Sequence, residues 1–497
     1  MTQSYRTDDG GRIDRNKPLT FSFDGRSYTG YQGDTLASAL LANGVRLLGR
    51  SFKYHRPRGL IAAGSEEPNA LVQLETGAYT EPNTRATCVE LYDGLVAKSQ
   101  NRWPSLAFDV GAVNSMVARF LPAGFYYKTF MWPASMWMTY EKFIRKAAGL
   151  GVSPVESDPD VYHGTYAHCD VLIIGGGAAG IAAATSAADS GARVIVVDES
   201  NEFGGALFGA SGNEAALNYI NSAVDKLKNN SNVRLLKRTT ATGYYDYNYI
   251  TALEKVTDHL GPGNGGALPR QRFWKIRAKQ VVIAAGAIER PLVFADNDRP
   301  GVMLANAVGT YVNRYGVLPG KDIVVFTNND SAYQVVLDAA DKGAVVTAVD
   351  VRRNLSAELK QKLEAKNIRL FESHAISSVQ GAQGVTSVRI MQLSEDGESL
   401  QGQAWEIDCT IVANSGGWTP SCHMYSQSGG KLQYNESLAA FVPDYSTMKQ
   451  TRPSLSAGAC NGSFNTAECI EQGARAGADA AGRCGLCLLY TSPSPRD

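Results

Sequence analysis

Residues Cys169–Gly180 read CDVLIIGGGAAG, an apolar run that turns abruptly into glycines and then alanines. The apolar run predicts a buried strand, and the alanine-rich stretch after it predicts a helix. Between the two, the glycines have the spacing Gly175-x-Gly177-x-x-Gly180. The first glycine permits a tight turn, the second lets the backbone approach a pyrophosphate, and the third lets the helix pack on the strand. The stretch therefore predicts a dinucleotide site at the N-terminus of a helix.

A second strand follows at the spacing that such a site requires. The residues ARVIVV, 192–197, end at Asp198 and Glu199, and Asp198 lies 21 positions after Gly177. A carboxylate at this place bonds the hydroxyls of the adenosine ribose and repels a 2′-phosphate, which favours NAD or FAD over NADP. The motif does not separate NAD from FAD. Because strand, helix, second strand and acid all occur at the expected spacing, we prefer this interpretation to a tight turn without a ligand.

Strand and helix patterns alternate through most of the chain beyond residue 160. Gln280–Pro291 predicts a strand whose end returns to the nucleotide, and Leu455–Gly473 predicts a turn that leads into a final helix from about Thr466. The predicted fold class is α/β, with two nucleotide-binding-like (Rossmann-type) domains of the FAD/NAD(P)-dependent oxidoreductase class.

The second of these domains has a different turn. Residues 321–350 predict a strand, a helix and a strand that ends at Asp350, but the turn Thr327–Ser331 contains no glycine. Side chains there would crowd a pyrophosphate, and the carboxylate of Asp330 would take the place of the phosphate at the helix N-terminus. We expect this domain to keep the fold and to bind no dinucleotide.

The first hundred residues predict a small α+β domain. Residues 19–31 read as two strands joined by Asp24-Gly25, a strong hairpin signal, and Asp34 caps a helix that ends at Asn43-Gly44. This order suits a β-grasp, ferredoxin-like domain. A [2Fe–2S] cluster needs four ligands, and Cys88 is the only cysteine in the domain, so we expect no cluster.

The predicted domain boundaries follow from these patterns and from the composition of the segments between them. They are 17–100 for the β-grasp domain, 101–160 for an aromatic connector, 161–300 with 401–481 for the dinucleotide-binding domain, 301–400 for the degenerate second domain, and 483–497 for a tail that reads as non-native sequence.

The composition excludes several classes of function. Lys plus Arg and Asp plus Glu both number 48, so no global basic field favours nucleic acid or an acidic membrane surface. The eight cysteines are scattered and the polar N-terminus shows no secretory signal, so we expect a cytoplasmic protein. Phe120–Tyr140 is rich in aromatics, but Lys128 and two prolines interrupt it and argue against a membrane span.

Few other motifs indicate chemistry. A CxxC spacing occurs only at Cys484 and Cys487 in the tail. His163 and His168 flank a predicted loop without a third ligand at metal-binding spacing, so we expect no metal site and no catalytic residue. The stretch 46–58 carries four arginines, a lysine and a histidine, and is either a solvated face or an anion or partner site. We place it, with residues 120–140, at a subunit interface.

Five longer strings give the chain a resemblance to a known family. They are GRSFKYHRPRGLIAAGSEEPNALVQL (49–74), WPSLAFDVGAVNSM (103–116), PAGFYYKTFMWP (122–133), AIERPLVFADNDRPGVMLANAV (287–308) and SGGWTPSCHMYSQSGGKLQYNESLAAFVPD (415–444). Together they resemble the alpha subunits of heterotetrameric sarcosine oxidase, from about residue 17 to about residue 481.

The resemblance implies an activity and its cofactors. Such complexes demethylate sarcosine oxidatively to glycine, reduce oxygen to hydrogen peroxide and pass the one-carbon unit to tetrahydrofolate. It implies NAD in the glycine-motif domain, an FMN shared with the beta subunit, and FAD with the amine-oxidising site on beta. The implied NAD contacts are Ala179, Asp198, Glu199, Ala206, Ala459, Phe464 and Thr466.

The resemblance also implies partners: a beta subunit and smaller subunits of a heterotetramer. The family continues into a folate-binding, aminomethyltransferase-like domain, so we expect a truncated chain that handles tetrahydrofolate only if that domain exists. We predict an oxidoreductase subunit that is inactive alone. The alternatives are a stand-alone FAD/NAD-dependent amine dehydrogenase or reductase, and a non-catalytic scaffold that holds NAD.

Overall fold

The structure is a computed structural model that describes residues 3–120, 132–147, 149–446 and 454–486. The described residues form two compact units, each described by itself here. The first unit comprises residues up to 159, a short piece at 259–262 and residues 290–417, and the second comprises 160–258, 263–289 and the residues from 418 onward. The predicted aromatic segment 120–140 and the predicted tail both extend into residues outside the described ranges.

The N-terminal part of the first unit is a five-stranded sheet with strand order β2-β1-β7-β5-β6 and a helix, α1. The elements here are β1 (Asp14–Phe23), β2 (Arg26–Gln32), α1 (Leu36–Ala42), β3 (Gly49–Arg50), β4 (Pro57–Arg58), β5 (Leu71–Leu74), β6 (Glu81–Arg85), β7 (Val96–Ser99) and α2 (Trp137–Ala147).

The predicted hairpin and helix are both present in this part of the first unit. Asp24 and Gly25 have φ angles of 49° and 77°, the left-handed pair that a tight two-residue hairpin turn requires. The helix cap differs from the prediction by one residue, because Thr35 is the N-cap and accepts a hydrogen bond from the Ser38 amide. Asp34 is instead fully buried in an ion pair with Arg6, at 2.7 Å.

The second unit begins with a long strand, the glycine turn and a helix, as predicted. Its elements to residue 289 are β8 (Tyr162–Ile174), α3 (Ala178–Asp189), β9 (Val194–Val197), α4 (Glu214–Lys228), β10 (Val233–Leu236), β11 (Thr239–Tyr245), β12 (Tyr249–Lys255), β13 (Gln271–Ile283) and β14 (Ala287–Glu289). His163 and His168 both lie on β8 and do not flank a loop, which corrects the sequence interpretation.

The chain then contributes a second nucleotide-binding-like sheet, which belongs to the first unit. The elements are β15 (Val302–Leu304), α5 (Ala305–Tyr315), β16 (Asp322–Thr327), α6 (Ala332–Asp341), β17 (Val345–Asp350), α7 (Ala357–Glu364), β18 (Arg369–Glu372), β19 (His374–Gln380), β20 (Ser387–Leu393), β21 (Leu400–Asp408) and β22 (Ile411–Ser415). The parallel sheet has the order β15-β22-β16-β17-β18, and β19, β20 and β21 form a separate antiparallel sheet.

The end of the described chain completes the second unit. Its elements are β23 (Trp418–Pro420), α8 (His423–Gln427), β24 (Lys431–Asn435), β25 (Ala440–Asp444), β26 (Ser454–Ser456) and α9 (Thr466–Arg483). The large sheet has the order β10-β9-β8-β13-β12-β11, and β26 pairs in parallel with the end of β13. We expected the return to this domain at residue 401, but β22 pairs with β15 and β16 of the other sheet.

The core of the second unit lies on both faces of its parallel strands. One cluster joins α3, α4 and α9 to one face, with Ile181 and Ile220 fully buried, and another covers the opposite face with Leu172 and Tyr425. Because the strands are buried on both faces, residues 171–174 form the continuous apolar run seen in the sequence. Among the described residues, no helix is long and apolar enough to cross a membrane.

Candidate functional site

Two glycines of the turn after β8 are required by the fold itself. Gly175 has a φ of 103°, and a Cβ built on it would lie 2.2 Å from the carbonyl oxygen of Ala284. A Cβ on Gly180, one turn into α3, would lie 1.9 Å from the carbonyl oxygen of Gly175. Real Cβ atoms do not approach a backbone oxygen so closely, so both positions need glycine to bring the turn, α3 and β13 together.

Gly177 is different, because no atom of the described residues lies where its side chain would begin. Its φ is −76°, which any residue adopts, and a Cβ there would meet no atom within 4 Å. Gly177 is the N-cap of α3, and no side chain caps this helix. The helix N-terminus therefore faces an open cradle that a Cβ would begin to fill. This geometry fits a pyrophosphate that approaches the backbone closely.

The carboxylate of Asp198 is fixed against this turn. Its Oδ2 accepts a hydrogen bond from the Gly176 amide at 2.6 Å, and its Oδ1 accepts one from the Ser200 amide at 2.8 Å. Glu199, the neighbouring acid, is exposed. Asp198 is therefore held where it can face an adenosine ribose, and it also stabilises the glycine turn, a role that the spacing alone did not predict.

A second glycine pair lies against the first turn. The Gly204 amide donates to the Gly176 carbonyl at 2.9 Å, and a Cβ on Gly205 would lie 3.2 Å from the Gly177 Cα. Ala206, which the family resemblance names as a contact, follows directly and is exposed. Sequence reasoning missed Gly204 and Gly205, although a Gly-Gly pair shortly after the strand that carries the acid was a usable signal.

Lys237 adds a positive charge beside the predicted ribose carboxylate. Burial lowers the pKa of its ammonium group, Lys228 lowers it further, and the carboxylates of Glu202 and Asp198 raise it. The Nζ atom lies 5.5 Å from the centre of the Phe203 ring. This partly buried cation was not among the predicted site residues.

The glycine turn after β8 forms one side of a crevice at the carboxyl ends of the parallel strands. The ends of β13 and β26 form the other side. The Ala284 amide donates to the Ile174 carbonyl at 2.7 Å, and the Ala457 amide donates to the Ile283 carbonyl at 3.0 Å, so three strand ends lie at one edge. Ala459 lies in the short helical turn Gly458–Asn461 that follows β26. The thiol of Cys460 is buried in this turn, and burial raises its pKa to about 12, so it is not a ready nucleophile.

Helix α9 is locked onto α3 by small residues. A Cβ on Gly473 would lie 2.0 Å from the Ala179 carbonyl oxygen, and a Cβ on Gly477 would lie 2.1 Å from that of Ala183. The side chain of Asn465 caps α9 and accepts from the Ala467 and Glu468 amides. The close packing places Gly473, in the second turn of α9, beside the start of α3, so that the start of α9 at Thr466 extends beyond it.

The structure thus places the predicted contact residues along one edge of the second unit. Phe464 is 40% exposed, and its ring centre lies 6.3 Å from that of Trp418, a residue that sequence reasoning missed. Contacts bring together the glycine turn, the start of α3, Asp198 and the turn that holds Ala459. The remaining predicted contacts, Glu199, Ala206, Phe464 and Thr466, follow in the chain directly after elements of this group.

The corresponding turn of the second nucleotide-binding-like domain is filled by side chains. Asp350, at the position of the ribose carboxylate, is fully buried and accepts bonds from Arg352 and from the Tyr333 hydroxyl, both at 2.8 Å. The carboxylate of Asp330 is exposed and pairs with Arg352 at 2.8 Å. Asp330 therefore binds a guanidinium, whereas we expected it to take a phosphate's place at the helix N-terminus.

The basic stretch 46–58 is neither a solvated face nor a free anion site. Arg50 is 9% exposed and donates to the Leu106 carbonyl from both Nε and Nη2. Nδ1 of His55 lies 2.7 Å from a carboxylate oxygen of Asp109, and other arginines of the stretch pair with Asp296 and Asp298. Internal carboxylates and carbonyls account for most of this charge run, while its place at a subunit interface stays a prediction.

Comparisons with known proteins place the fold in a class. The family of FAD dependent oxidoreductases matches residues 170–401, and the 2Fe-2S iron-sulfur cluster binding domain family matches residues 16–102. The structure of L-proline dehydrogenase from P. horikoshii superposes with a TM-score of 0.63 at 20% identity, over 98% of this chain and 76% of that one. Fold and crevice together define an oxidoreductase of the FAD/NAD-type dinucleotide-binding class, which confirms the predicted fold class.

The sequence comparisons narrow the class to a family. Sarcosine oxidase subunit alpha of Rhizobium meliloti (strain 1021) is 47% identical over 88% of this chain, and that of Corynebacterium sp. (strain P-1) is 38% identical over 96%. The chain belongs to the family of sarcosine oxidase alpha subunits, as the resemblance predicted. It spans 44% of the length of each of these relatives.

The family matches also bear on the expected cofactors. We assigned FAD to a partner subunit, whereas the matching family names FAD for this chain's own domain. A [2Fe–2S] cluster, which the N-terminal match implies, does not fit the residues present. Cys88 is the only cysteine in residues 16–102, and the described residues contain no group of three or more potential metal ligands.

Proposed function

We propose that this chain is the NAD-binding part of the alpha subunit of a sarcosine oxidase complex. The complex oxidatively demethylates sarcosine to glycine and forms hydrogen peroxide, while the amine is oxidised on a partner beta subunit. The open cradle at Gly177, with the Asp198 carboxylate fixed beside it, carries the proposal. The bound dinucleotide contacts the edge residues from Gly175 to Thr466 named above.

The residues of these strand ends do not by themselves separate NAD from FAD. The turns after β13 and β26 include Ala284, Ala285, Gly286, Ala457, Gly458 and Ala459, which offer backbone groups to either dinucleotide. We assign NAD from the family membership. FAD in this same crevice is the second candidate, and the match to an FAD dependent oxidoreductase family supports it.

The remaining parts of the proposal follow from the family membership. The beta and smaller subunits are the partners, an FMN is shared with the beta subunit, and tetrahydrofolate is handled only where a folate-binding domain follows. The free cysteines among the described residues suit the cytoplasm, where thiols stay reduced. The alternative function, a scaffold that holds NAD without turnover, would also account for a chain that is inactive alone.

Two measurements on the purified chain test the proposal. Heat-released ligand identified by mass spectrometry is expected to be NAD, and the chain is expected to lack the flavin absorbance near ~450 nm. Release of FAD would show that the crevice binds FAD, the second candidate, and would contradict the assignment of NAD. Hydrogen peroxide formation from sarcosine by the chain alone, supplied with FAD and FMN, would contradict the assignment of amine oxidation to a partner.

A further inference from the structure

A dinucleotide in this crevice has a defined direction. Its pyrophosphate lies over the turn after β8, and its adenosine ribose lies at Asp198, after β9. In the sheet, β9 is on one side of β8 and β13 is on the other. The second half of the dinucleotide therefore extends towards the ends of β13 and β26.

Trp418 is placed on that side by strand pairing. Strand β23 pairs antiparallel with β14, where Trp418 lies opposite Glu289, and the Ser421 amide donates to the Gly286 carbonyl at 3.0 Å. The Trp418 and Phe464 rings are 6.3 Å apart at an interplanar angle of 34°. Phe464 immediately precedes Asn465, the cap of α9, so the ring pair is anchored to both the strand ribbon and the helix start.

We propose that Trp418 and Phe464 bind the aromatic ring of the second half of the dinucleotide, which is nicotinamide if the proposed function holds. Planar rings gain from stacked and edge contacts with indole and phenyl groups. The oxidised nicotinamide ring carries a positive charge, and an indole face attracts such a cation. Trp418 therefore favours the oxidised over the reduced cofactor.

Fluorescence during an NAD titration of the full chain tests this inference, with calorimetry run in parallel. NAD is expected to quench tryptophan emission in the wild type and in Trp405→Phe, a matched control on β21 of the other unit, but not in Trp418→Phe. Trp418→Leu is expected to weaken binding of oxidised NAD by about threefold to tenfold. Wild-type quenching in Trp418→Phe with calorimetric binding intact overturns this inference alone, whereas no calorimetric binding to the wild type overturns the proposed function as well.

A separate observation concerns the N-terminal sheet domain. Glu67 is fully buried, and its carboxylate accepts hydrogen bonds from four backbone amides of its own loop. The Ile61 and Ala62 amides donate to Oε2 at 2.7 Å, and the Asn69 and Ala70 amides donate to Oε1 at 2.7 and 3.2 Å. Burial raises the pKa of this carboxyl, and the four amides partly offset that effect.

The loop lies beside Cys88, which is the only cysteine in the segment that matches a cluster-binding family. The Thr87 hydroxyl donates to the Gly64 carbonyl at 2.7 Å, and Cys88 is the next residue. In iron–sulfur proteins, hydrogen bonds to the sulfurs surround the cluster. We infer that the Glu67 carboxylate replaces the cluster as the centre around which this loop folds, so that the domain does not carry electrons.

Glu67→Gln tests the inference, with the adjacent exposed Glu66→Gln as the matched control. The amide NH2 would face backbone donors, so Glu67→Gln is expected to lower the Tm by about 2–10 °C, while Glu66→Gln leaves it unchanged. Anaerobic treatment of the wild type with iron and sulfide is expected to add no cluster absorbance. Equal Tm values for the two variants, or formation of a cluster in the wild type, would overturn the inference.

Discussion

The glycines of one motif are required for different physical reasons. At Gly180 a side chain would collide with the backbone of the turn, whereas at Gly177 it would enter open space, which the proposed ligand would use. The first requirement belongs to folding and the second to binding. Substitutions at the two positions therefore separate the stability of the fold from the occupancy of the site.

Gly177→Val is expected to cost the ligand-free chain at most about 1 kcal/mol, because valine is a poorer N-cap than glycine. It is expected to abolish NAD binding, because the added methyl groups lie where the pyrophosphate approaches. Gly164→Val is the matched control: Gly164 lies on β8, and a Cβ there also meets nothing within 4 Å. Thermal unfolding and calorimetry give the two readouts. Stoichiometric binding of NAD to Gly177→Val would contradict the proposal that the pyrophosphate binds at Gly177.

Gly180→Ala is expected to show the opposite pattern. The added methyl group would overlap the Gly175 carbonyl oxygen, and overpacking of this kind destabilises by about 1–3 kcal/mol. Chemical denaturation of the ligand-free chain measures the loss. Wild-type stability would mean that α3 does not pack on the turn as closely as the structure shows.

Asp170 is expected to contribute to the decrease in the free energy of unfolding at acid pH. The Arg193 guanidinium, assisted by Lys279 at 2.9 Å, holds the pKa of this carboxyl well below its usual range. A depressed folded-state pKa gives stability that is present above the unfolded value of about 3.9 and is lost as the pH falls below it. Asp170→Asn should therefore be less stable than the wild type at pH 7, and the gap should close on acidification.

Urea unfolding at several pH values measures this gap. Asp189→Asn is the control, since its ion pair with Lys226 is exposed and surface pairs of this kind contribute little. A gap for Asp170→Asn that stays constant down to pH 3 would show that the ion pair does not stabilise the fold.

At the scale of elements, the site depends on how closely α9 approaches α3. The glycines of α9 that face α3 leave no room for a methyl group, whereas Gly482, near the end of the same helix, faces open space. The helix pair sets the start of α9 and hence the positions of Phe464 and Thr466. Loss of this packing is expected to weaken ligand binding from a distance.

Gly477→Ala and Gly482→Ala are expected to change stability in opposite directions. The first would force the helices apart, since its Cβ lies 2.1 Å from the Ala183 carbonyl oxygen, at a cost of about 1–3 kcal/mol. The second removes a glycine from an open helix position, which stabilises by up to about 1 kcal/mol. Calorimetric Tm values compare the two, and a raised Tm for Gly477→Ala would contradict the packing.

Local patterns predicted most of these elements, because their causes are local. The strand, glycine turn and helix around Gly177, and the hairpin at Asp24-Gly25, follow from steric needs of adjacent residues. The position of β22 did not follow, because its partners β15 and β16 are distant in sequence. The pairing of the basic stretch was missed for the same reason: Arg56 meets Asp296 and Asp298 only after folding.

The candidate site shows the same division between local and distant contacts. The glycine turn and Asp198 could be predicted directly from their spacing in the sequence. Ala459, Phe464 and Thr466 came from the family resemblance. Trp418 and Lys237 could not be predicted from the sequence, because their places depend on the pairing of β23 with β14 and of β10 with β9.

At the scale of the whole molecule, the chain contains two nucleotide-binding-like sheets whose turns differ in their partners. One has an open helix N-terminus beside Asp198, and in the other the buried Asp350 carboxylate pairs with the Arg352 guanidinium and accepts a hydrogen bond from the Tyr333 hydroxyl. Because protein groups already satisfy Asp350, the second arrangement needs no ligand. We therefore expect each chain to bind a single dinucleotide.

Calorimetric titration of the ligand-free chain with NAD tests this assignment most directly. We predict a stoichiometry near one, with binding lost in Gly177→Val and retained in Asp330→Arg. A stoichiometry near two, reduced to one by Asp330→Arg, would show that the second domain is a working site. No binding at all to the wild-type chain would contradict the dinucleotide site itself.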